Sequence, residues 1–482
     1  ALGGTSPPGR ATGRVLAANT AGGIAGALGA AFVLLPRLGL GGGLLATAGS
    51  AALAALAARR TAGAFAAAAV ALAAVVFPSL RLPWHAGDER ILFYRDGAAA
   101  TVMVTTDPRG DLRLRVNGQY SLGGSAGLLL EERQAHLPLL LHPRPTRLLA
   151  LGVGTADTLG AALAHPGLRV DAVEIVPEVL AAAAMFGREN RGALADPRAR
   201  FVVDDARSFL LAAPGTWDVI LSDLFLPWTA GTAYLYSADF YRVGLAHLRP
   251  GGLYCQWLPL HQLAVPDLEA VVASFTAAFP QVQLWVAYHR SGTPLAGLVG
   301  SAEPVRAEAQ PLRARAADPT LAPALAAAGV ADPRDLDVLY VSDGARLRTA
   351  TAGVAPITDD RPRLEFSAPA AFFHQQGLAR AALAWVAARL DPRPAPIAGA
   401  SFELRAALLR AQLALLAGDG PGELAAYLDA FALGPEVPAV RAALLAIARE
   451  RLAAGDRQLA RRIADTLRGT PEGATLATAI GG

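Results

Sequence analysis

Short apolar runs alternate with helical segments through the middle of the chain, and this alternation is the feature that most constrains the fold. Each run is short enough for a strand, and each is followed by a segment long enough for a helix. This order is typical of a parallel sheet covered by helices on both faces. We therefore predict an α/β fold with a doubly wound parallel sheet. The runs are 147–151, 168–175, 201–203, 217–221 and 253–257.

Glycines and acids stand where these runs end. Gly152 and Gly154 follow the first run, and their missing side chains let a backbone approach a ligand closely. The second run ends near Glu174, the third is followed by Asp205, and the fourth by Asp223. Any one of these acids could be a helix cap or a turn residue, but together they are placed to line the crevice outside the strand ends. This layout favours a class I methyltransferase-like Rossmann fold that binds an S-adenosyl nucleoside.

The composition excludes several other classes of chemistry. Every one of the 43 residues counted as Lys+Arg is an arginine, which excludes lysine Schiff-base enzymes and the P-loop. The single cysteine excludes a disulfide framework or a cysteine-rich metal site, and the eight histidines show no paired spacing. We therefore expect no metal. The net charge of +3, with arginines spread along the chain, indicates no nucleic-acid partner.

The first eighty residues are expected to lie in a membrane. Three uncharged stretches, 15–35, 38–58 and 61–80, are separated by arginines, and each is about as long as a helix that crosses a ~30 Å hydrocarbon core. Their glycines and alanines allow close packing between helices. The alternative is a set of buried helices in a soluble protein. Because the chain begins with Ala1 rather than Met, the bundle could lack earlier spans.

We divide the chain into four regions, of which the last is helical. Two similar four-residue segments, 416–419 and 453–456, recur 37 residues apart, close to the period of tetratricopeptide hairpins. We expect this tail to pack on the preceding domain, with partner binding as the alternative. The four regions are 1–85 (transmembrane helices), 86–145 (a β-rich subdomain), 146–370 (the nucleoside-binding domain) and 371–482 (the helical tail).

A family resemblance covers the chain from Gly97 to about Phe366. Its clearest pieces are the glycine turn, the Glu174 segment and the aspartates that follow the third and fourth runs. With the other matching segments, these resemble the spermidine synthase (polyamine aminopropyltransferase) family. The N-terminal stretches and the motif at 358–362 resemble bacterial members fused to a membrane bundle. The remaining matching segments are 116–118, 135–139, 196–198 and 235–241.

The resemblance implies a reaction and a role for each site residue. The carboxylate at Asp223 takes a proton from an amine, which displaces methylthioadenosine from decarboxylated S-adenosylmethionine. A carboxylate suits this role because it orients an ammonium and accepts its proton. Glu174 would bind the ribose, and Asp205 with Ala206 would hold the adenine. The sulfonium leaving group needs neither an acid nor a metal.

Three positions depart from the family pattern. Thr155 stands where the glycine turn carries an Asp that contacts the aminopropyl group, and Leu226 stands where a second Asp holds the diamine. Leu130 replaces a tyrosine. Each charged contact contributes about 1.5–3 kcal/mol, so we expect an acceptor other than plain putrescine. Without an Asp at position 155, the pocket has less reason to prefer decarboxylated S-adenosylmethionine, so S-adenosylmethionine itself remains an alternative cofactor.

The acceptor pocket is expected to lie beside Leu226, with Trp228, Tyr234 and Tyr236 forming its walls or packing below it. Three functions remain open: an aminopropyltransferase acting on an amine, a methyltransferase acting on an apolar acceptor from the membrane, and a non-catalytic protein for sensing or assembly. A homodimer and a membrane-protein partner are also open. We expect the protein to lie in the bacterial inner membrane with its transferase domain in the cytoplasm. The positive-inside rule favours the opposite orientation, but the two sides of the predicted spans differ by only two arginines.

Overall fold

The computed structural model describes residues 8–57, 65, 68, 69, 72, 88–118, 120–305 and 307–481. The chain forms two compact units. One contains residues 1–126 together with 176–186, and the other contains 127–175 together with 187–482.

The helices and strands are numbered here in chain order. The strands are β1 (Arg90–Asp96), β2 (Thr101–Thr106), β3 (Leu112–Val116), β4 (Tyr120–Gly124), β5 (Arg147–Leu151), β6 (Arg169–Glu174), β7 (Ala199–Val203), β8 (Trp217–Ser222), β9 (Leu248–Pro259), β10 (Gln281–Val286), β11 (Leu295–Ser301) and β12 (Tyr340–Asp343). The helices are α1 (Pro8–Gly29), α2 (Leu35–Ala57), α3 (Leu128–Leu141), α4 (Asp157–Leu163), α5 (Pro177–Ala183), α6 (Ala206–Ala212), α7 (Ala238–Ala246), α8 (Val265–Ala278), α9 (Ala309–Ala316), α10 (Ala322–Ala327), α11 (Pro333–Asp337), α12 (Gly344–Ala350), α13 (Leu364–His374), α14 (Leu378–Ala387), α15 (Phe402–Leu416), α16 (Gly420–Leu433), α17 (Pro438–Ala453), α18 (Arg457–Thr466) and α19 (Pro471–Gly481).

The N-terminal region is helical. A π-helical turn, Ala30–Leu34, joins α1 to α2, and Gly39 interrupts α2 with a φ of 68°. Among the described residues, one segment, Thr12–Leu34, is long and apolar enough to cross a membrane, whereas Gly42–Leu56 is shorter than a span. The predicted span at 61–80 lies almost entirely outside the described residues. A signal sequence or a soluble core helix has the same length and hydropathy, so membrane anchoring stays a prediction.

The rest of the first unit is a four-stranded antiparallel sheet with the order β1-β2-β3-β4. The Asn117-Gly118 turn joins β3 to β4, and both residues have positive φ, as a tight hairpin requires. Val102, Val104 and Leu114 of the sheet pack against α5 and the residues that follow it. This sheet ends at Gly124, and α3 belongs to the second unit.

The second unit is built on an eight-stranded sheet with the order β12-β10-β11-β9-β8-β5-β6-β7. The five strands from β5 to β9 pair in parallel, and β8 is buried along its whole length, as expected of a sheet covered on both faces. The predicted parallel sheet is confirmed for these five strands, but the whole sheet is mixed, because β10, β11 and β12 run antiparallel to their neighbours. The short 287–294 connection turns the chain straight back from β10 to β11, and such a hairpin forces antiparallel pairing.

The order of the parallel strands fixes where a ligand can bind. The chain runs from β5 outward to β6 and β7, and then crosses to the other side of β5 to form β8. The connections after β5 and β8 therefore separate and leave a crevice at the carboxyl ends of these two strands.

The C-terminal helices form pairs and pack on the sheet of the second unit. Gly418 and Gly455 end α15 and α17 with positive φ, and Asp419 and Asp456 cap the helices that follow. The buried guanidinium of Arg405 donates to the backbone carbonyls of Tyr340 and Asp391. The repeated segments thus end one helix and begin the next, while membership of the tetratricopeptide class stays a prediction.

Candidate active site

The turn after β5 brings two strand ends close together. Gly152 has a φ of 96°, and a Cβ built there would lie 3.5 Å from the Cβ of Asp223. Gly154 and Ala156 also have positive φ, at 54° and 67°. The left-handed conformation costs an alanine on the order of 1 kcal/mol, and here it starts α4 immediately after the turn. The turn is therefore shaped to keep the space above β5 open.

Glu174, at the end of β6, is tied to this turn. Its Oε2 accepts a hydrogen bond of 3.1 Å from the backbone N–H of Val153, and the residue is only 8% exposed. The sequence predicted that the glycine turn and Glu174 would share one crevice, and the structure brings them into direct contact.

Asp205 has a structural contact of its own. It is the N-cap of α6, where its Oδ1 accepts a hydrogen bond of 2.7 Å from the backbone N–H of Ser208, while the neighbouring Ala206 is buried. Ile175, which directly follows β6, and Val203, the last residue of β7, were not predicted as site residues, and they are 57% and 54% exposed. Such apolar side chains at strand ends can cover the faces of a planar base.

Asp223 follows β8 and is half-buried beside the glycine turn. Its backbone N–H donates to the carbonyl of Leu151, and its Oδ1 accepts a hydrogen bond of 2.8 Å from the N–H of Leu224. Burial, with a smaller contribution from the negative charge of Glu174, raises the pKa of Asp223 to about 6, although the hydrogen bond from Leu224 acts in the opposite direction. This carboxylate can therefore exchange a proton near neutral pH.

The loop after Asp223 carries the predicted acceptor residues. Tyr236 is fully buried, and its hydroxyl donates to the carbonyl of Phe225 at 2.7 Å, so it supports the loop from below. The indole of Trp228 stacks on Phe372 with ring centroids 4.8 Å apart and donates to Gln262. The two remaining residues are accessible: Leu226 is half-buried, and Tyr234 is 38% exposed.

The motif at 358–362 holds the helices beside this loop together. Asp359 pairs with Arg207 of α6 and accepts a hydrogen bond of 2.8 Å from the hydroxyl of Ser237, which caps α7. The backbone N–H of Gly231, within the loop, donates to the carboxylate of Glu365. The contacts of this motif are therefore structural.

Two further acids, Glu131 and Asp157, lie at the glycine turn and were not predicted as site residues. The hydroxyl of Thr155 donates to Oε2 of Glu131 at 2.8 Å, and Asp157 begins α4 directly after the turn. The part of the chain that the structure describes contains no group of three or more His, Cys, Asp or Glu side chains arranged to hold a metal ion.

The comparisons with known proteins identify the family. Residues 128–293 match the spermine/spermidine synthase domain. The polyamine aminopropyltransferase of a Synechococcus species is 31% identical over 231 residues, which cover 46% of this chain and 74% of that protein. The chain belongs to the spermidine synthase family. The predicted family is thereby confirmed, and the relatives are transferases.

Other members of the family match shorter or more divergent segments. The polyamine aminopropyltransferase of Aeropyrum pernix is 34% identical over 145 residues, and the match covers 29% of this chain and 46% of that protein, less than half of its length. The crystal structure of spermidine synthase from Thermotoga maritima is 20% identical, covers 44% of this chain and 73% of that one, and superposes with a TM-score of 0.40.

Proposed function

We propose that this chain transfers an aminopropyl group from decarboxylated S-adenosylmethionine to an amine, with Asp223 as the general base. The observation that supports the proposal most directly is the position of Asp223, which lies beside the glycine turn at the crevice between β5 and β8. Its raised pKa, about 6, is close to the value expected of a base that works near neutral pH.

The donor would be held by the turn and by the next two strand ends. Gly152 has a φ of 96°, which residues with a side chain rarely adopt, and without a Cβ its backbone can approach a nucleoside closely. Glu174 would bind the ribose hydroxyls, and Asp205 with Ala206 would hold the adenine between Ile175 and Val203. When bound, the donor supplies a carbon activated by a sulfonium, and methylthioadenosine departs as a neutral thioether.

Asp223 would act on the acceptor amine. The nitrogen lone pair forms a bond to the aminopropyl carbon, while the carbon–sulfur bond breaks and leaves its electron pair on sulfur. The proton released by the amine passes to the carboxylate of Asp223. The same negative charge would orient the amine before the reaction.

The acceptor pocket favours an amine that carries an apolar portion. Leu226 replaces the second aspartate, and Trp228 and Tyr234 add aromatic surface beside it. With Thr12–Leu34 as a membrane anchor, the acceptor could arrive from the lipid phase. We propose a location at the bacterial inner membrane with the transferase domain in the cytoplasm. A homodimer and a membrane-protein partner stay predictions.

A methyltransferase on the same sheet is the second candidate. The observation in its favour is the loss of two carboxylates: in the family the one at Thr155 contacts the aminopropyl group of the donor, and the one at Leu226 holds the diamine. A non-catalytic role in sensing or assembly is the third, with no contact in the described residues that favours it.

Product analysis by mass spectrometry tests the proposal. The purified full chain is incubated with decarboxylated S-adenosylmethionine and a panel of short diamines and apolar amines. We expect at least one amine to gain the mass of an aminopropyl group, and the Asp223→Asn variant to yield none. Methylated acceptors formed from S-adenosylmethionine would favour the second candidate, and no modification of any amine with either donor would contradict the proposal.

A further inference from the structure

We propose that the exposed face of α13 docks on the surface of a phospholipid bilayer and holds the acceptor loop there. The face consists of Phe366, Ala370 and Phe373, and we call it the Phe366 stripe. It would be a second contact with lipid, in addition to Thr12–Leu34. The inference goes beyond the proposed transfer reaction, and it rests on the proposed membrane location.

The Phe366 stripe is unusually exposed for apolar side chains of this size. Phe366 is 77% exposed and Phe373 is 58% exposed, and in the described part of the second unit no other large apolar side chain is more exposed than these two. Ala370 lies between them and is exposed as well. Positions i, i+4 and i+7 lie on one side of a helix, so the three side chains form one continuous apolar surface.

The opposite face of α13 is also apolar, and it is already covered by protein. Leu364, Ala368 and Ala371 are buried, and Ala371 packs with Ala264. A helix that lies between a protein core and water normally presents polar residues to the water. Because α13 has apolar side chains on both faces, the Phe366 stripe is suited to a second apolar environment.

The size of the Phe366 stripe favours lipid over a second copy of the chain. Phe366 and Phe373 are seven residues apart, which is about 10 Å along a helix. A stable protein–protein interface buries about 800 Å² on each partner, far more than one row of three side chains provides. A bilayer needs no such area, because interfacial helices insert a narrow face of Phe or Leu between the headgroups and the acyl chains.

The charged residues beside the stripe are compatible with anionic headgroups. Arg361 and Arg363 are exposed and directly precede α13, so their guanidinium groups can pair with lipid phosphates. The exposed Asp360 offsets one of these charges, and Arg363 lies 4.0 Å from Asp267. The same chain carries Thr12–Leu34, and such an anchor would keep lipid at a high effective concentration around the second unit.

Two contacts join α13 to the acceptor loop. The backbone N–H of Gly231 donates to Oε1 of Glu365 at 2.6 Å, and the indole of Trp228 stacks on Phe372. A bilayer that holds α13 would therefore also hold this loop at the lipid surface. An amine with an apolar portion is concentrated at that surface, because its apolar part partitions into lipid.

A dye on a single introduced cysteine tests the inference. Cys255 is the single cysteine of the chain and is buried, so Ala370→Cys supplies one accessible thiol for an environment-sensitive dye. The labelled full chain is reconstituted into vesicles of phosphatidylethanolamine and phosphatidylglycerol. We expect blue-shifted emission, and we expect nitroxides on the upper acyl chain to quench the dye more strongly than nitroxides at the chain end. The reason is that interfacial helices lie only about 5–10 Å into the lipid boundary.

Three further variants separate docking from general proximity to lipid. Ala442→Cys places the dye at an exposed position of α17, where iodide in the water should quench it. Phe366→Ser, combined with Ala370→Cys, should lower the ratio of docked to undocked dye about tenfold or more, since an apolar side chain is lost from the lipid. Its denaturation midpoint should stay unchanged because Phe366 is exposed. Phe366→Trp should preserve docking, because tryptophan suits the membrane interface.

The outcomes distinguish this inference from the proposed function. Iodide quenching at position 370 as strong as at position 442 overturns the inference, and so does a Phe366→Ser variant that docks like wild type. A blue shift without nitroxide quenching also overturns it, because a protein surface such as a second copy would then cover the stripe. A full chain that vesicles do not retain contradicts the membrane location, and the inference falls with it. Aminopropyl transfer is measured separately by product analysis and does not depend on these results.

Discussion

Gly152 and Asp223 face each other across the ends of β5 and β8, with 3.5 Å between the Cβ position of the glycine and the Cβ of the aspartate. The glycine turn that would hold the donor therefore lies directly beside the carboxylate that would accept the proton. We expect a change at Asp223 to act mainly on the proton transfer and a change at Gly152 to act mainly on nucleoside binding.

Asp223→Asn tests the base. The amide keeps the size of the side chain but cannot accept the proton at neutral pH, so kcat should fall about 10²- to 10⁴-fold. The affinity for methylthioadenosine, measured by calorimetry, should change by less than about threefold because the nucleoside contacts remain. Asp429→Asn, at an exposed position on α16, is the matched control and should keep full activity. Equal activity of both variants would remove Asp223 from the mechanism.

The pH dependence of kcat/KM follows from the same carboxylate. Asp223 must be ionised to accept a proton, and its pKa is raised to about 6. Activity should therefore be low below pH 6 and should rise as pH increases through this value, until ionisation of the acceptor amine or other groups dominates. If kcat/KM instead fell only near pH 4, the usual pKa range of an aspartate, the pKa of the base would not be raised by burial.

Gly152→Ala tests the close approach of the two strand ends. The alanine would need a φ of 96°, which strains the turn, and its Cβ would lie in ordinary van der Waals contact with Asp223, so nucleoside binding should weaken and unfolding should become easier by about 1–3 kcal/mol. Gly167→Ala is the control: its φ is also positive, at 73°, but nothing lies within 4 Å of the new Cβ. Calorimetry and chemical denaturation should show a smaller destabilisation for Gly167→Ala and intact nucleoside binding.

Asp157→Asn tests the cost of burying the carboxylate of Asp157. Because its pKa in the folded protein is raised from 3.8 to about 6, the folded state holds a proton that the unfolded state has already released between these values. The free energy of unfolding should thus fall as pH rises from about 4 through 6. The asparagine variant should be more stable than wild type by about 1–3 kcal/mol at pH 8 and nearly equal to it at pH 4. Denaturation at the two pH values measures both differences, and greater wild-type stability at pH 8 would contradict the description of Asp157.

Leu226→Asp tests the acceptor pocket. The substitution restores the carboxylate that the family uses to hold the second amine of a diamine, so KM for putrescine should fall about tenfold. Leu433→Asp makes the same change at an exposed leucine at the end of α16 and should leave KM unaltered. If putrescine is used no better by Leu226→Asp, position 226 does not face the acceptor.

Much of the site could be predicted from the sequence because its parts follow strands. The alternation of apolar runs and helices predicted β5 to β9, and parallel strands bring their carboxyl ends to one edge, which places Gly152, Glu174 and Asp223 together. The direction of β10, β11 and β12 could not be predicted in this way, since it depends on how each connection packs.

Contacts between helices could not be predicted from the sequence pattern. Glu131 and Asp157 are far apart in the chain and meet only because α3 and α4 pack beside the glycine turn. The sequence allows Tyr236 either to line the pocket or to pack, and only its hydrogen bond to Phe225 shows that it lies below the loop. A local motif gives the residue types of such positions, whereas tertiary packing decides what each side chain contacts.

A competition between the two donors tests the central claim most directly. The full chain is supplied with equal amounts of decarboxylated S-adenosylmethionine and S-adenosylmethionine together with an amine acceptor, and the nucleoside products are measured by mass spectrometry. Aminopropyl transfer predicts that methylthioadenosine accumulates in step with the modified amine, and that Asp223→Asn abolishes both. Accumulation of S-adenosylhomocysteine with a methylated product would contradict the account.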